Sequence, residues 1–173
     1  SFIALDTSVE TIELTRSFGG MPVFYGDPQR PEILHAAKVD QAEFFVIAMD
    51  DPEINIKTAE LVRNLYPHMK IIARARNRQH VHRLVDLDAS PVRETFYSSL
   101  EMSRRTLVGL GLSQAQADAR INRFKTHDQQ VLAAQHAVYD DAAKVMQTAQ
   151  EARAELARLF EMDRLDEESS DKL

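Results

Sequence analysis

The sequence predicts an α/β fold, a doubly wound parallel sheet followed by an α-helical region that contains a long helix. Three observations carry that expectation. Short apolar runs alternate with helix-period segments through the first half, several of those runs stop on an aspartate, and strand signals vanish after Pro91. Alternation at such short spacing is the pattern of parallel strands joined by right-handed crossovers.

Phe2 to Leu5 reads as a strand that ends at Asp6, with Thr7 and Ser8 as a helix cap. Val9, Ile12, Leu14 and Phe18 mark a helix that Gly19-Gly20 stops. Met21 to Tyr25 returns to strand, closed by Gly26-Asp27-Pro28, and Pro31 opens a short helix through Ala37, where its missing N–H does no harm. The unbroken apolar run Phe44-Phe45-Val46-Ile47-Ala48 suits a parallel strand covered on both faces. Asp50-Asp51-Pro52 caps a helix reaching Tyr66-Pro67, Lys70 to Ala75 forms the next strand, and His80 to Leu87 the next helix.

Beyond Pro91, Glu94 to Leu110 reads as an amphipathic helix, and Ser113 with Gln116 as a capping box. Neither proline nor glycine occurs from Gln114 to Met162, which predicts one long helix or two with a kink. A single helix of about 40 residues would span roughly 60 Å. That is too long to pack wholly on one small domain and points to a partner chain. The expected division is a sheet domain over 1–90, a helical region over 91–162 and an acidic, disordered tail over 163–173.

Composition narrows the function classes. Hydrophobic residues at 44% and charged residues at 28% give the balance of a folded globular chain. No apolar run approaches the roughly 20 residues that cross a bilayer. The net charge of −6 argues against general nucleic-acid binding, which demands a basic surface. Locally, however, Arg63, Lys70, Arg74, Arg76, Arg78 and Arg83 gather with no acid among them, either to attract a small anion or as a basic face balanced elsewhere. The absence of cysteine excludes disulfides, thiolate metal sites and a cysteine nucleophile. His35, His68, His80, His82, His127 and His136 are scattered, with no His-Glu-x-x-His pattern and no evident histidine–carboxylate pair to serve hydride-transfer chemistry.

The aspartates at the strand tips are the candidate site. In a doubly wound sheet the carboxyl ends of parallel strands line the binding crevice, so Asp6, Asp27, Asp50 and Asp51 converge on one rim. Asp6, with its neighbour Thr7, fits the carboxylate that accepts both hydroxyls of a ribose. Each aspartate taken alone is equally a helix cap, worth about 1 kcal/mol. A dinucleotide fold opens with a strand and a glycine-rich turn that holds phosphate at a helix N-terminus. Neither is found in the sequence, and both are expected to precede Ser1.

Four stretches, Val23-Phe24-Tyr25-Gly26-Asp27, Ala48-Met49-Asp50-Asp51-Pro52, Ile71-Ile72-Ala73-Arg74-Ala75-Arg76 and Arg93-Glu94-Thr95-Phe96, occur in that order. Together they resemble the regulatory domain of the Kef glutathione-gated potassium efflux systems, a Rossmann-like fold also called a KTN or RCK domain. The resemblance runs from about Ile3 to Phe124. It implies AMP or NAD(H) in the crevice, with Asp6 on the ribose and Asp27, Asp50 and Asp51 near the adenine. It implies a homodimer joined through the C-terminal helices, with glutathione as regulatory ligand near the dimer interface and Arg93 gripping one of its carboxylates. A guanidinium suits that task because its planar fork binds a carboxylate bidentately.

The same resemblance implies that free glutathione holds the transporter shut and bulky glutathione adducts open it. It further implies a potassium/proton antiporter domain in the same full-length chain, an accessory quinone oxidoreductase, and a cytoplasmic position on an inner-membrane protein. The sequence departs from the family at Lys125, which follows Arg123-Phe124 where the family has asparagine. Lysine reaches a carboxylate as a point charge with different hydrogen-bond geometry. Two alternatives stand beside this reading: a nucleotide-only regulatory domain of another potassium channel or uptake system, and the cofactor domain of an NAD-dependent oxidoreductase.

Overall fold

The computed structural model describes residues 2–170. The chain divides into two units, Ser1–Arg93 and Glu94–Leu173. The first is an α/β unit of five parallel strands, the second an assembly of three helices.

Strand β1 (Ala4–Asp6) leads to helix α1 (Val9–Ser17), whose N-cap Ser8 accepts the Thr11 N–H. Gly19 and Gly20 end the helix with positive φ, a conformation glycine adopts without strain. Strand β2 (Val23–Tyr25) then pairs in parallel with β1, and α2 (Pro31–Ala36) follows with proline in its first turn. Gly26 is buried between them. A Cβ there would stand 2.7 Å from Ile33 Cγ2, so the turn after β2 admits only a hydrogen.

Strands β3 (Phe44–Ile47), β4 (Lys70–Ala75) and β5 (Ala89–Arg93) form a second parallel sheet in that order. Helix α3 (Pro52–Leu65) lies between β3 and β4 in sequence, and α4 (Arg78–Asp86) between β4 and β5. Ile47, Ile71, Ala73, Ala75 and Ala89 face one way and pack with Ile56, Ala59, Val62, Val81 and Leu84 of the two helices, which forms the core. The opposite face is open. Phe44 is 51% and Val46 65% exposed, so the strand read as covered on both faces is covered on one. An unbroken apolar run does not distinguish the two cases. Among the described residues, β1 pairs only with β2 and β3 only with β4, leaving the parallel strands in two sheets.

Strand β5 corrects the sequence reading, which placed its last strand at Lys70 to Ala75 and saw strand signals vanish after Pro91. Proline donates no hydrogen bond and is confined to edge strands. Pro91 sits in β5, which among the described residues pairs only with β4, and this added strand carries the first unit through Arg93.

In the second unit α5 (Phe96–Gly109) precedes α6 (Gln114–His136) and α7 (Ala142–Ser170). The capping box forms: Ser113 Oγ accepts the Gln116 N–H and Gln116 Oε1 accepts the Ser113 N–H. Of the outcomes left open for the glycine-free stretch, two helices is the one found. They fold back on each other, with Gln135 Nε2 donating to Thr148 Oγ1 at 3.2 Å and His127 Nε2 lying 3.4 Å from Glu155. The break falls at Asp141, whose carboxylate accepts the Ala143 and Lys144 N–H groups and starts a new helix. The acidic segment expected to fray continues α7 as far as Ser170, because no glycine or proline interrupts it. Residues 171–173 of that segment lie outside the described residues.

Candidate functional site

Asp6 and Asp27 stand at the same end of the β1–β2 pair. The strands run parallel with Asp6 opposite Tyr25, and the Gly26 N–H donates to the Asp6 carbonyl at 3.0 Å. Each carboxylate braces its own turn: Asp6 Oδ1 accepts the Ser8 N–H at 2.7 Å and Asp27 Oδ1 the Gln29 N–H at 2.9 Å. The second oxygen of each has no hydrogen-bond partner among the described residues. Both side chains are half-buried, while Thr7 between Asp6 and Ser8 is exposed. Two carboxylates with spare acceptor capacity at adjoining strand tips suit a ligand rich in hydroxyls or amino donors.

The second group lies beyond β3 and β4. Asp50 is exposed and forms an ion pair with Arg74 at 2.5 Å, while Asp51 caps α3 by accepting the Glu53 and Ile54 N–H groups. Sequence reasoning singled out these aspartates. It missed Asn55, buried one turn into α3, which ties the loop down. Asn55 Oδ1 accepts the Met49 N–H at 3.1 Å, and Nδ2 donates to the carbonyls of Met49 at 2.9 Å and Arg74 at 3.3 Å. The tips of β3 and β4 are thereby fixed to one helix. The available signal was an uncharged polar residue on the apolar side of α3, beside Ile56 and Ala59.

The corner after β4 is fixed by reciprocal bonds. Asn77 Oδ1 accepts the His80 N–H at 2.9 Å, and His80 Nδ1 accepts the Arg76 N–H at 3.1 Å. Glu53 in the first turn of α3 is bridged by Arg83 in the last turn of α4. That guanidinium holds the Glu53 carboxyl below the usual carboxylate range. The six basic residues noted in the sequence therefore separate: Arg63 braces the end of α4 through the Leu87 and Asp88 carbonyls, and Arg74 and Arg83 are paired with acids. His80 and His82, two residues apart, are both buried.

Arg93 ends β5 opposite Ala75, at the same end of the sheet as Arg74 and Arg76, and is half-buried. Lys125 belongs to the second unit. Its Nζ lies 5.5 Å from the centroid of the Tyr97 ring, close enough for a cation–π contact. No helix among the described residues is long and apolar enough to cross a membrane.

Comparison with known proteins fits this architecture. Residues 1–93 match the TrkA-N domain family, and residues 98–172 match the potassium efflux system KefB C-terminal domain. The chain is 41% identical over 131 residues to a glutathione-regulated potassium-efflux system protein KefC of Salmonella arizonae, covering 75% of this chain and 21% of that protein. It is 36% identical over 163 residues to the KefC protein of Cronobacter sakazakii, covering 94% of this chain and 26% of that protein. The chain thus spans about a fifth to a quarter of the length of these curated relatives. Among solved structures, a Shewanella denitrificans Kef CTD in AMP-bound form superposes with a TM-score of 0.67 at 30% identity, over 79% of this chain and 97% of that one. The chain belongs to the TrkA-N family, as a KTN/RCK regulatory domain of the Kef type.

Proposed function

We propose that this domain senses ligands for a potassium efflux system, binding a nucleotide of the AMP or NAD(H) class at its strand tips and responding to glutathione or glutathione adducts. The observation that carries the nucleotide reading is the Asp6–Asp27 pair, side by side at the end of β1 and β2 with an acceptor oxygen to spare on each. Asp6 and Thr7 take the ribose, and Asp27, Asp50 and Asp51 lie toward the base. A similar Kef CTD is in AMP-bound form, which favours AMP as the first ligand to try. The split between the β1–β2 pair and the β3–β4–β5 sheet supports the reading that one further parallel strand completes the sheet.

Arg93 is the proposed grip on a glutathione carboxylate, since a guanidinium binds such a group through two parallel hydrogen bonds. In the second unit Lys125 is a further candidate. The α5–α7 unit joins two copies, and the remainder of the full-length protein supplies the potassium/proton antiporter, with an accessory quinone oxidoreductase as a further partner. Gating follows if the peptide and its bulky adducts prefer different arrangements of the dimer; a hundredfold preference supplies roughly 2.7 kcal/mol. One observation favours the nucleotide-only alternative: the Lys125 ammonium rests against Tyr97.

Native mass spectrometry of the purified chain, reporting subunit number and retained nucleotide together, tests the proposal. A dimer that carries an adenine nucleotide is expected. A monomer with no affinity for added AMP or NADH would refute it.

A further inference from the structure

We propose that His80 is a proton-sensitive latch on the strand-tip crevice: when neutral it holds the corner after β4, and when protonated it releases that corner and weakens nucleotide binding. The inference rests on the nucleotide reading above for its functional consequence, but the latch itself stands on geometry.

A helix N-terminus is commonly fastened by a capping box, in which the N-cap side chain accepts an N–H three residues on and a Glu or Gln at that third position reaches back. Asn77 is the N-cap of α4 and accepts the His80 N–H at 2.9 Å. The residue that reaches back is a histidine, whose Nδ1 accepts the Arg76 N–H at 3.1 Å. Only the neutral ring with its proton on Nε2 does this, because protonated imidazole is a donor at both nitrogens. Protonation would set an N–H at Nδ1 against the Arg76 N–H, and the bond is lost. The fastening that glutamine would keep at every pH is here a titratable one.

The surroundings favour the neutral ring. His80 is 4% exposed, and its Nε2 has no hydrogen-bond partner among the described residues. The charges that act on it are Arg83 on its own helix and Glu53 at the start of α3. The face of β4 and β5 packed against α4 offers Ala73, Ala75 and Ala89, with Arg93 opposite Ala75 at the end of the sheet where Arg76 follows β4. Burial first, and then the Arg83 guanidinium, lower the ring's pKa from its ordinary value, while Glu53 opposes them. The sign follows: the folded chain binds this proton less readily than the unfolded one. The latch is closed above the ordinary histidine range and opens as pH falls through the depressed value. Its position gives the opening a consequence. Arg76 is the first residue after β4, two residues from the Arg74 that pairs with Asp50 and whose carbonyl Asn55 holds.

The test uses the ¹⁵N-labelled chain at pH 7.5 and at the lower pH where its His80 ring is seen to be protonated, with AMP as probe and His80→Gln as the variant that keeps an acceptor at both values. In the unmodified chain the His80 ring is expected to show Nε2–H at high pH, and the Arg76 amide to lose hydrogen-exchange protection as the ring titrates. The AMP dissociation constant is expected to rise roughly fivefold more between the two pH values in the unmodified chain than in His80→Gln, the loss of one hydrogen bond. Titration of the AMP phosphate is common to both chains and cancels. Equal pH dependence in the two, or Arg76 protection unchanged while the ring titrates, overturns the latch. If AMP binds at neither pH the nucleotide reading fails, and Arg76 protection alone then decides the latch. The ring and amide measurements need no variant, so a poorly folding His80→Gln leaves them standing.

Discussion

Asn55 grips Met49 with both ends of its amide, accepting the Met49 N–H at 3.1 Å and donating to the Met49 carbonyl at 2.9 Å. The same Nδ2 reaches the Arg74 carbonyl at 3.3 Å, so one buried side chain fixes the ends of β3 and β4 together. Replacing it with alanine leaves the part-buried Met49 backbone groups without this partner. Asn55→Ala is expected to lose about 1–3 kcal/mol of stability by urea unfolding. An unchanged midpoint would mean the loop is held by something else.

Gly26 sits where β2 turns toward α2. An added methyl would meet Ile33 Cγ2 at 2.7 Å, and that branched side chain has little freedom to yield. Gly26→Ala is expected to cost about 1–3 kcal/mol by overpacking. Ile33→Ala in the same chain should recover part of the loss. Two independent, additive losses in calorimetric melting would contradict the steric account.

The second unit offers a pH signature. Glu101 accepts hydrogen bonds from Arg104 at 2.8 and 3.1 Å and from Arg105 at 2.7 Å, and these two guanidiniums lower its pKa to about 2. A folded pKa below the unfolded one means the contribution is present above the ordinary carboxylate range and is lost as pH falls through about 2. Carboxyl ¹³C chemical shifts should therefore report a Glu101 midpoint well below those of other glutamates. A midpoint near 4.5 would show the cluster to be open in solution.

Much of the fold was legible because its punctuation is local. Asp51 before Pro52, Ser113 with Gln116, and Gly19-Gly20 each satisfy a helix end with their own neighbours, and each does so in the structure. What was not legible depends on distant partners. Strand β5 exists because Ala89 to Arg93 finds β4 beside it, and Pro91 hides it from any propensity argument. The exposure of Phe44 and Val46 follows from what covers β3, which an apolar run cannot state. At the site, the aspartates were readable as strand tips, whereas Asn55 and His80 act through bonds to backbone six and four residues away, visible only once the chain has turned.

Arg93 separates the two ligands. It is the last residue of β5, and the nucleotide reading assigns it no contact. Arg93→Ala is expected to weaken glutathione binding roughly tenfold to a hundredfold, the range for a lost charge-assisted pair, with AMP affinity nearly unchanged. Equal losses for both ligands by calorimetry would remove Arg93 from the glutathione site.

The central claim is that the Asp6 carboxylate receives the ribose of a bound nucleotide. Isothermal titration of AMP into the unmodified chain and into Asp6→Ala measures this most directly, with circular dichroism melting to show that both are folded. Removing an acceptor for two hydroxyls is expected to weaken AMP binding roughly tenfold to a hundredfold. An Asp6→Ala chain that melts cooperatively and binds AMP as tightly as the unmodified one would contradict the account.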